Sequence, residues 1–70
     1  MEENNTYMMA MAADLYRHAA LLECTAEMLL ASAATAKTPL AKARREGKAR
    51  RMAALAVQAE LDADAARAAA

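Results

Sequence analysis

Large and small apolar residues alternate along one face of the first half of the chain. They recur at alternating steps of four and three, and they are Met8, Ala12, Leu15, Ala19, Leu22, Ala26, Leu29 and Ala33. Such steps keep residues on one face of an α-helix, which has about 3.6 residues per turn. The pattern therefore predicts one long helix, and the heptad spacing of its large residues favours a left-handed coiled pair.

A second helix is predicted after a short break at Thr38 and Pro39. Thr38 can cap the new helix, and Pro39 suits the first helical position because its missing N–H is not needed there. We expect helix 1 over about residues 6–36, a turn at 37–39 and helix 2 over about 39–67. Two long helices joined by so short a turn must lie antiparallel, which predicts an all-α, single-domain helical hairpin over residues 1–70.

On helix 2 the residues expected to face helix 1 are also spaced at helical intervals. They are Leu40, Ala43, Gly47, Ala54, Val57, Leu61, Ala65 and Ala68. The large side chains expected in the hairpin core are thus Met8, Leu15, Leu22, Leu29, Leu40, Val57 and Leu61. Glycine inside a helix costs about 1 kcal/mol relative to alanine, so a tight packing contact, rather than a kink, is the expected reason for Gly47.

Several apolar residues fall outside this predicted seam. Leu21 and Met28 stand one heptad apart on a second face of helix 1, and Met52 and Leu55 lie off the seam on helix 2. A lone hairpin would leave these side chains in water. A two-fold dimer of hairpins, making a four-helix bundle, would cover most of them, and a different protein partner is the alternative.

Composition also favours association. Hydrophobic residues make up 59% of the chain, but many are alanine, which buries little area, and Phe and Trp are absent. Small domains of this kind usually need staples or oligomerisation, and the single Cys24 cannot form an intramolecular disulfide. One cysteine indicates a reduced, cytoplasmic setting. No membrane span is expected because ionisable residues interrupt the apolar first half, namely Asp14, Arg17, His18, Glu23 and Glu27.

The net charge of zero is divided unevenly along the chain. Residues 1–36 carry a charge of −4, residues 37–51 carry +6 and residues 52–70 carry −2. We call the basic residues of the middle segment the basic collar, and they are Lys37, Lys42, Arg44, Arg45, Lys48, Arg50 and Arg51. The collar could contact nucleic-acid phosphates, although no aromatic residue interleaves it for base stacking; an acidic protein partner is the other interpretation.

Motifs for chemistry are sparse. Glu23 and Glu27 would repel each other on an isolated helix, so they are expected to face Arg50 and Arg51 of helix 2. As a pair for acid–base or metal chemistry they lack a Glu-x-x-His motif, and Cys24 has no plausible base beside it. We therefore expect no enzyme activity, no metal and no other cofactor.

One stretch of helix 1, followed by a turn and a basic second helix, resembles the quorum-sensing anti-activator proteins of Pseudomonas phages. It runs Thr6-Tyr7-Met8-Met9-Ala10 and continues through Asp14-Leu15-Tyr16-Arg17-His18-Ala19-Ala20-Leu21-Leu22-Glu23. The resemblance implies a dimer of helical hairpins in the bacterial cytoplasm. It also implies that the protein blocks promoter binding by a LuxR-type transcriptional activator, through the activator's DNA-binding domain, and that it inhibits a type IV pilus assembly ATPase.

The leading hypothesis is a non-enzymatic homodimer that binds and restrains another protein. The expected contacts lie on the outer face of helix 1 and in the basic collar, and they are Arg17, Leu21, Cys24, Glu27, Met28, Arg44, Arg45, Arg50 and Arg51. Arginine is enriched at protein interfaces. The alternatives are a nucleic-acid-binding accessory protein that uses residues 37–51, and a purely structural bundle.

Overall fold

The protein is a pair of long helices packed side by side. The computed structural model describes residues 2–70, with side chains from residue 4 onward. Helix α1 is Glu2–Ala34 and helix α2 is Pro39–Ala69. The helices pack against each other in a molecule of 56 × 13 × 9 Å. The predicted all-α helical hairpin is confirmed.

The first helix starts earlier and ends slightly earlier than predicted. It begins at Glu2 rather than near residue 6, since no glycine or proline opposes it and acidic residues suit the positive end of a helix. It ends at Ala34, after which the Thr35 N–H donates a hydrogen bond of 3.3 Å to the carbonyl oxygen of Ser32, three residues earlier instead of four. The link between the helices is therefore residues 35–38.

The start of α2 follows the prediction. Thr38 has an extended backbone (φ −129°, ψ 149°), and its Oγ1 accepts a hydrogen bond from the Ala41 N–H at 3.1 Å. The Thr38 carbonyl oxygen accepts another from the Lys42 N–H at 3.1 Å. Pro39 takes the first helical position, where the absent N–H leaves no carbonyl unpaired. The predicted Thr38 cap is confirmed.

The face of α1 that packs against α2 is the one that the alternation predicts. Its small residues are buried, and they are Ala12, Ala19, Ala26 and Ala33. The large residues that alternate with them are half-buried, and they are Met8, Leu15, Leu22 and Leu29. The alanines therefore lie where the two helices approach most closely.

The face of α2 that packs against α1 is not the predicted one. The buried residues are Ala49, Ala56, Ala59, Ala63 and Ala66, with half-buried Met52 on the same face. Leu40, Val57 and Leu61 are 60%, 56% and 56% exposed, so their expected place in the hairpin core is wrong. The small members of the predicted stripe are likewise exposed, at Ala43, Ala54, Ala65 and Ala68, whereas Met52, expected off the seam, lies on it.

The reason for the difference is distance between the helices. Both stripes of α2 have helical spacing, so periodicity does not separate them. An alanine face lets the backbones approach closely, and close approach gains dispersion along the whole length of the pair. A face with leucines would hold the two axes further apart.

Gly47 does not make the predicted tight contact with α1. A Cβ atom added there would meet the Arg51 Nη1 at 3.7 Å and the Arg50 Nη2 at 4.0 Å, which are ordinary van der Waals distances. Helix α2 continues through the position. Packing within the hairpin therefore does not account for a glycine at residue 47.

Replacing Ala56, which is fully buried, with leucine should lower the free energy of unfolding by about 1–3 kcal/mol, because the added carbons force the helices apart. Leu61→Ala, at an exposed position, should change it by less than about 0.5 kcal/mol. Urea denaturation of dilute protein, followed by circular dichroism, measures both. A larger loss from Leu61→Ala than from Ala56→Leu would contradict this seam.

Gly47→Ala should raise the free energy of unfolding of the dilute hairpin by about 1 kcal/mol, because alanine has the higher helix propensity and its Cβ atom would make only ordinary van der Waals contacts. Ala53→Gly, at an exposed position of α2, is the control and should lower the free energy of unfolding by a similar amount. The same urea titration applies. Destabilisation by Gly47→Ala would show that the monomer needs the glycine.

Candidate protein-binding surface

The outer face of α1 presents the large apolar residues that are most exposed. Leu21 and Met28 are each 68% exposed, and Arg17 and Cys24 are exposed beside them. These four residues, here called the outer strip of α1, follow each other at i, i+4, i+7 and i+11, so they share the side of the helix away from α2. This spacing is typical of helices that dock in a groove of another protein.

Two acidic residues, Asp14 and Glu27, border the outer strip. The Arg17 guanidinium donates a hydrogen bond to the Asp14 carboxylate one helical turn earlier, and both side chains are 72% exposed. An exposed pair of this kind contributes at most about 1 kcal/mol, so Arg17 can exchange Asp14 for a partner's carboxylate at small cost. Glu27 is exposed, and Cys24 is a free, exposed thiol. All five α1 residues predicted for binding are therefore accessible.

A shallow depression extends this surface toward the start of α1. It has a volume of about 430 Å³, and α1 alone lines it, through Tyr7, Ala10, Met11, Asp14, Leu15 and His18. Asp14 joins the depression to Arg17 of the outer strip. Tyr7 is exposed and Met11 is half-buried, so a flexible thioether lies beside an accessible aromatic ring.

Acidic side chains of both helices meet along one edge of the hairpin. The Tyr16 hydroxyl donates a hydrogen bond to Asp64, and this bond raises the pKa of Tyr16, while Arg67 opposes the shift. The pKa of Glu60 is raised, first by its hydrogen bond with Glu23, then by the charge of Glu23, by partial desolvation and by the charge of Asp64. We call the three carboxylates of Glu23, Glu60 and Asp64 the acidic edge. At neutral pH its carboxylates repel each other.

Glu23 therefore does not meet Arg50 or Arg51 as expected. It lies against Glu60, which is about 15 Å further along α2 than Arg50. No ion pair of Glu23 or Glu27 with either arginine occurs within the described part of the chain. The sequence suggested the pairing of charges, but the register of the two helices places two carboxylates together.

The basic collar is partly used within the fold. Arg44, Arg50 and Arg51 are exposed, but Arg45 is half-buried, and its Nη1 donates a hydrogen bond of 2.8 Å to the Ser32 carbonyl oxygen. Carbonyl groups at the end of a helix lack helical partners and carry its negative partial charge. Arg45 thus fastens the end of α1 to α2, which gives it a structural contact in addition to its predicted role in binding.

The exposed apolar surface of α2 differs from the one expected from the sequence. Leu55 is exposed as expected, but the surface also contains Leu40, Val57 and Leu61, which were assigned to the core. A signal was available in the sequence, because residues 49, 52, 56, 59, 63 and 66 also recur at steps of three and four and are nearly all alanine. An all-alanine face in a chain rich in leucine and methionine favours the closest helix contact.

The described residues offer apolar contact bordered by charge. Among residues 4–70, no three His, Cys, Asp or Glu side chains are placed to hold a metal ion. Over the same part of the chain, neither helix combines the length and the apolar character needed to cross a membrane.

Glu60→Gln should raise the free energy of unfolding at pH 7. A raised pKa means that the folded state holds the proton more tightly, so stability falls as the pH rises from the ordinary pKa of glutamate, about 4.3, through the folded value. The gain should vanish below about pH 4, where wild-type Glu60 is protonated. Glu46→Gln is the control, since α1 has no acidic residue beyond Glu27 to face it. Equal effects of the two variants at pH 7 would argue against the Glu23–Glu60 contact.

No protein-family model, curated protein or solved structure matches the chain.

Proposed function

We propose that this protein is a non-enzymatic interaction module that binds another protein through α1 and restrains it. The observation that carries the proposal is that small side chains are buried and large apolar side chains are exposed, the reverse of the usual arrangement. Every buried residue of the described chain is an alanine, whereas Leu21, Met28 and several other large apolar side chains are exposed. Exposed apolar surface beyond what a monomer normally shows marks a site of association.

The total surface supports association as well. The chain exposes 5210 Å², whereas a compact monomer of 7.5 kDa is expected to expose about 4,200 Å². The excess of roughly 1,000 Å² exceeds the surface that one partner usually loses in a stable complex, about 800 Å². Homodimerisation is therefore part of the proposal, together with binding of a different protein.

The outer strip of α1 supports a definite mode of binding. Leu21 and Met28 would enter an apolar groove of the partner, as the anchor residues of helical ligands do. Arg17 lies beside them and would pair with a carboxylate on the rim of that groove after leaving Asp14. Cys24 lies between the two anchors along the strip and is small enough to allow close contact.

The resemblance to phage anti-activators supplies specific partners for this proposal. The first is the DNA-binding domain of a LuxR-type transcriptional activator in the bacterial cytoplasm, whose promoter binding the hairpin would block. The second is a type IV pilus assembly ATPase. An α-helix that covers the apolar surface of such a domain can inhibit it without any chemical step.

The hairpin should prevent a purified LuxR-type activator from shifting its promoter DNA in a gel, and Arg17→Ala with Leu21→Ala should abolish this effect. At least roughly 2 kcal/mol of binding energy, or about thirtyfold in affinity, is expected from two such anchors. Circular dichroism should show an unchanged helix content, because both side chains are exposed.

The matched control is Leu30→Ala with Arg67→Ala, which removes one exposed leucine and one exposed arginine outside the predicted binding residues. This control should inhibit the activator as the wild type does. The same pair of variants, immobilised and exposed to bacterial lysate, tests capture of other partners. Equal capture by both double variants would exclude the outer strip of α1 as the binding site.

A further inference from the structure

The side of α2 that faces away from α1 carries a continuous apolar stripe. Five residues one heptad apart form it, and they are Leu40, Gly47, Ala54, Leu61 and Ala68. They lie about half a turn around the helix from the buried alanines, and Leu40 and Leu61 are 60% and 56% exposed. We call this surface the outer stripe of α2. It runs along most of a helix of 31 residues. Four of its members are exposed, and Gly47 is half-buried beside the guanidinium groups of Arg50 and Arg51.

We infer that the outer stripe of α2 binds the outer stripe of a second copy of the chain, with the two α2 helices antiparallel. This inference rests on the homodimer proposed above and names its interface. With the two-fold axis at Ala54, each large residue meets a small one. Leu40 faces Ala68 of the second copy, Leu61 faces Gly47, and the two Ala54 residues face each other.

This arrangement gives Gly47 a role that the monomer lacks. Within the hairpin a Cβ atom at residue 47 would have ordinary van der Waals space, so glycine brings only its cost in helix propensity. Opposite Leu61 of a second copy, the absent side chain leaves room for the leucine. Alternation of large and small residues across two helices allows close packing of their backbones.

The charges of α2 favour the antiparallel orientation. Residues 39–53 hold six basic residues and one acidic residue, a charge of +5, and residues 54–69 hold one basic and three acidic residues, a charge of −2. Antiparallel helices place each basic half beside an acidic half. Parallel helices would place the two +5 halves together. Complementary charge of this kind selects orientation at interfaces.

The residues that flank the stripe lead to the same orientation. Arg50 and Arg51 lie on opposite sides of it and are both exposed. In a parallel two-fold pair, Arg51 of each copy would lie beside Arg50 of the other copy, which gives two close pairs of like charges. In the antiparallel pair, Arg50 neighbours Arg50 of the other copy, and Arg51 neighbours Arg51. At a rise of 1.5 Å per residue, the two members of each pair are about 10 Å apart along the axis.

The proposed dimer leaves the outer strip of α1 free. The four helices would form a single layer in the order α1, α2, α2, α1, with the α1 helices outermost. Leu21 and Met28 then stay accessible to a different partner on both sides of the dimer. The second copy and the partner therefore occupy separate faces.

Sedimentation equilibrium of the full chain tests the interface. The wild type should dimerise, more weakly in ~0.5 M than in ~0.05 M NaCl, because salt screens the complementary halves. Gly47→Leu should raise the dimer dissociation constant by roughly tenfold or more, since it fills the space for Leu61. The control Ala53→Leu places the same leucine side chain one residue before the stripe residue Ala54 and should change the dissociation constant less than about twofold. Circular dichroism confirms that both variants stay helical.

Disulfide formation between copies tests the orientation, in chains where Cys24→Ser removes the natural thiol. Ala54→Cys should link two copies on oxidation, because both residues lie on the axis. Leu61→Cys should not link to itself, because its counterparts would be about 20 Å apart along the helix and a disulfide needs Cα atoms within roughly 7 Å. Leu61→Cys mixed with Gly47→Cys should link.

The outcomes separate the two proposals. A wild-type chain that stays monomeric overturns both the homodimer and this interface, but leaves partner binding by α1 to its own test. A dimer that Gly47→Leu and Ala53→Leu affect equally overturns the interface alone. Self-linking of Leu61→Cys as readily as Ala54→Cys overturns the antiparallel orientation.

Discussion

The close approach of two alanine-lined helix faces is the contact on which this structure depends. Burial of an alanine removes little area from water, so the nine buried alanines among residues 4–70 contribute only a modest hydrophobic free energy. What they allow is short distance between the backbones, and dispersion then accumulates along the whole pair. A larger side chain in place of one of these buried alanines would separate the helices and weaken the contact.

The displacement of large side chains to the outside follows from that contact. Leu21 and Met28 project from α1, and Leu40 and Leu61 from α2, because the seam has no room for them. The hairpin is therefore thin and exposes more surface than its mass requires. Its helices present apolar side chains on both outer faces, and at the acidic edge the nearby Glu23 raises the pKa of Glu60.

The site could be predicted from the sequence only where it depends on one helix. Arg17, Leu21, Cys24 and Met28 share a strip by the period of α1 alone, and the structure leaves them exposed. Contacts between the two helices could not be predicted in this way. The register that places Glu23 beside Glu60, and the reach of Arg45 to the end of α1, depend on how far one helix slides along the other, which residue spacing does not specify.

The sequence by itself determined the two helices, the Thr38 cap between them and the face by which α1 packs, because each follows from local spacing and local hydrogen bonds. Only the tertiary structure decided how α2 is turned about its axis. Its leucine stripe and its alanine face both have helical spacing, and hydrophobicity alone favours the leucines. The separation of the helix axes favours the alanines, and that separation exists only once two helices are packed together.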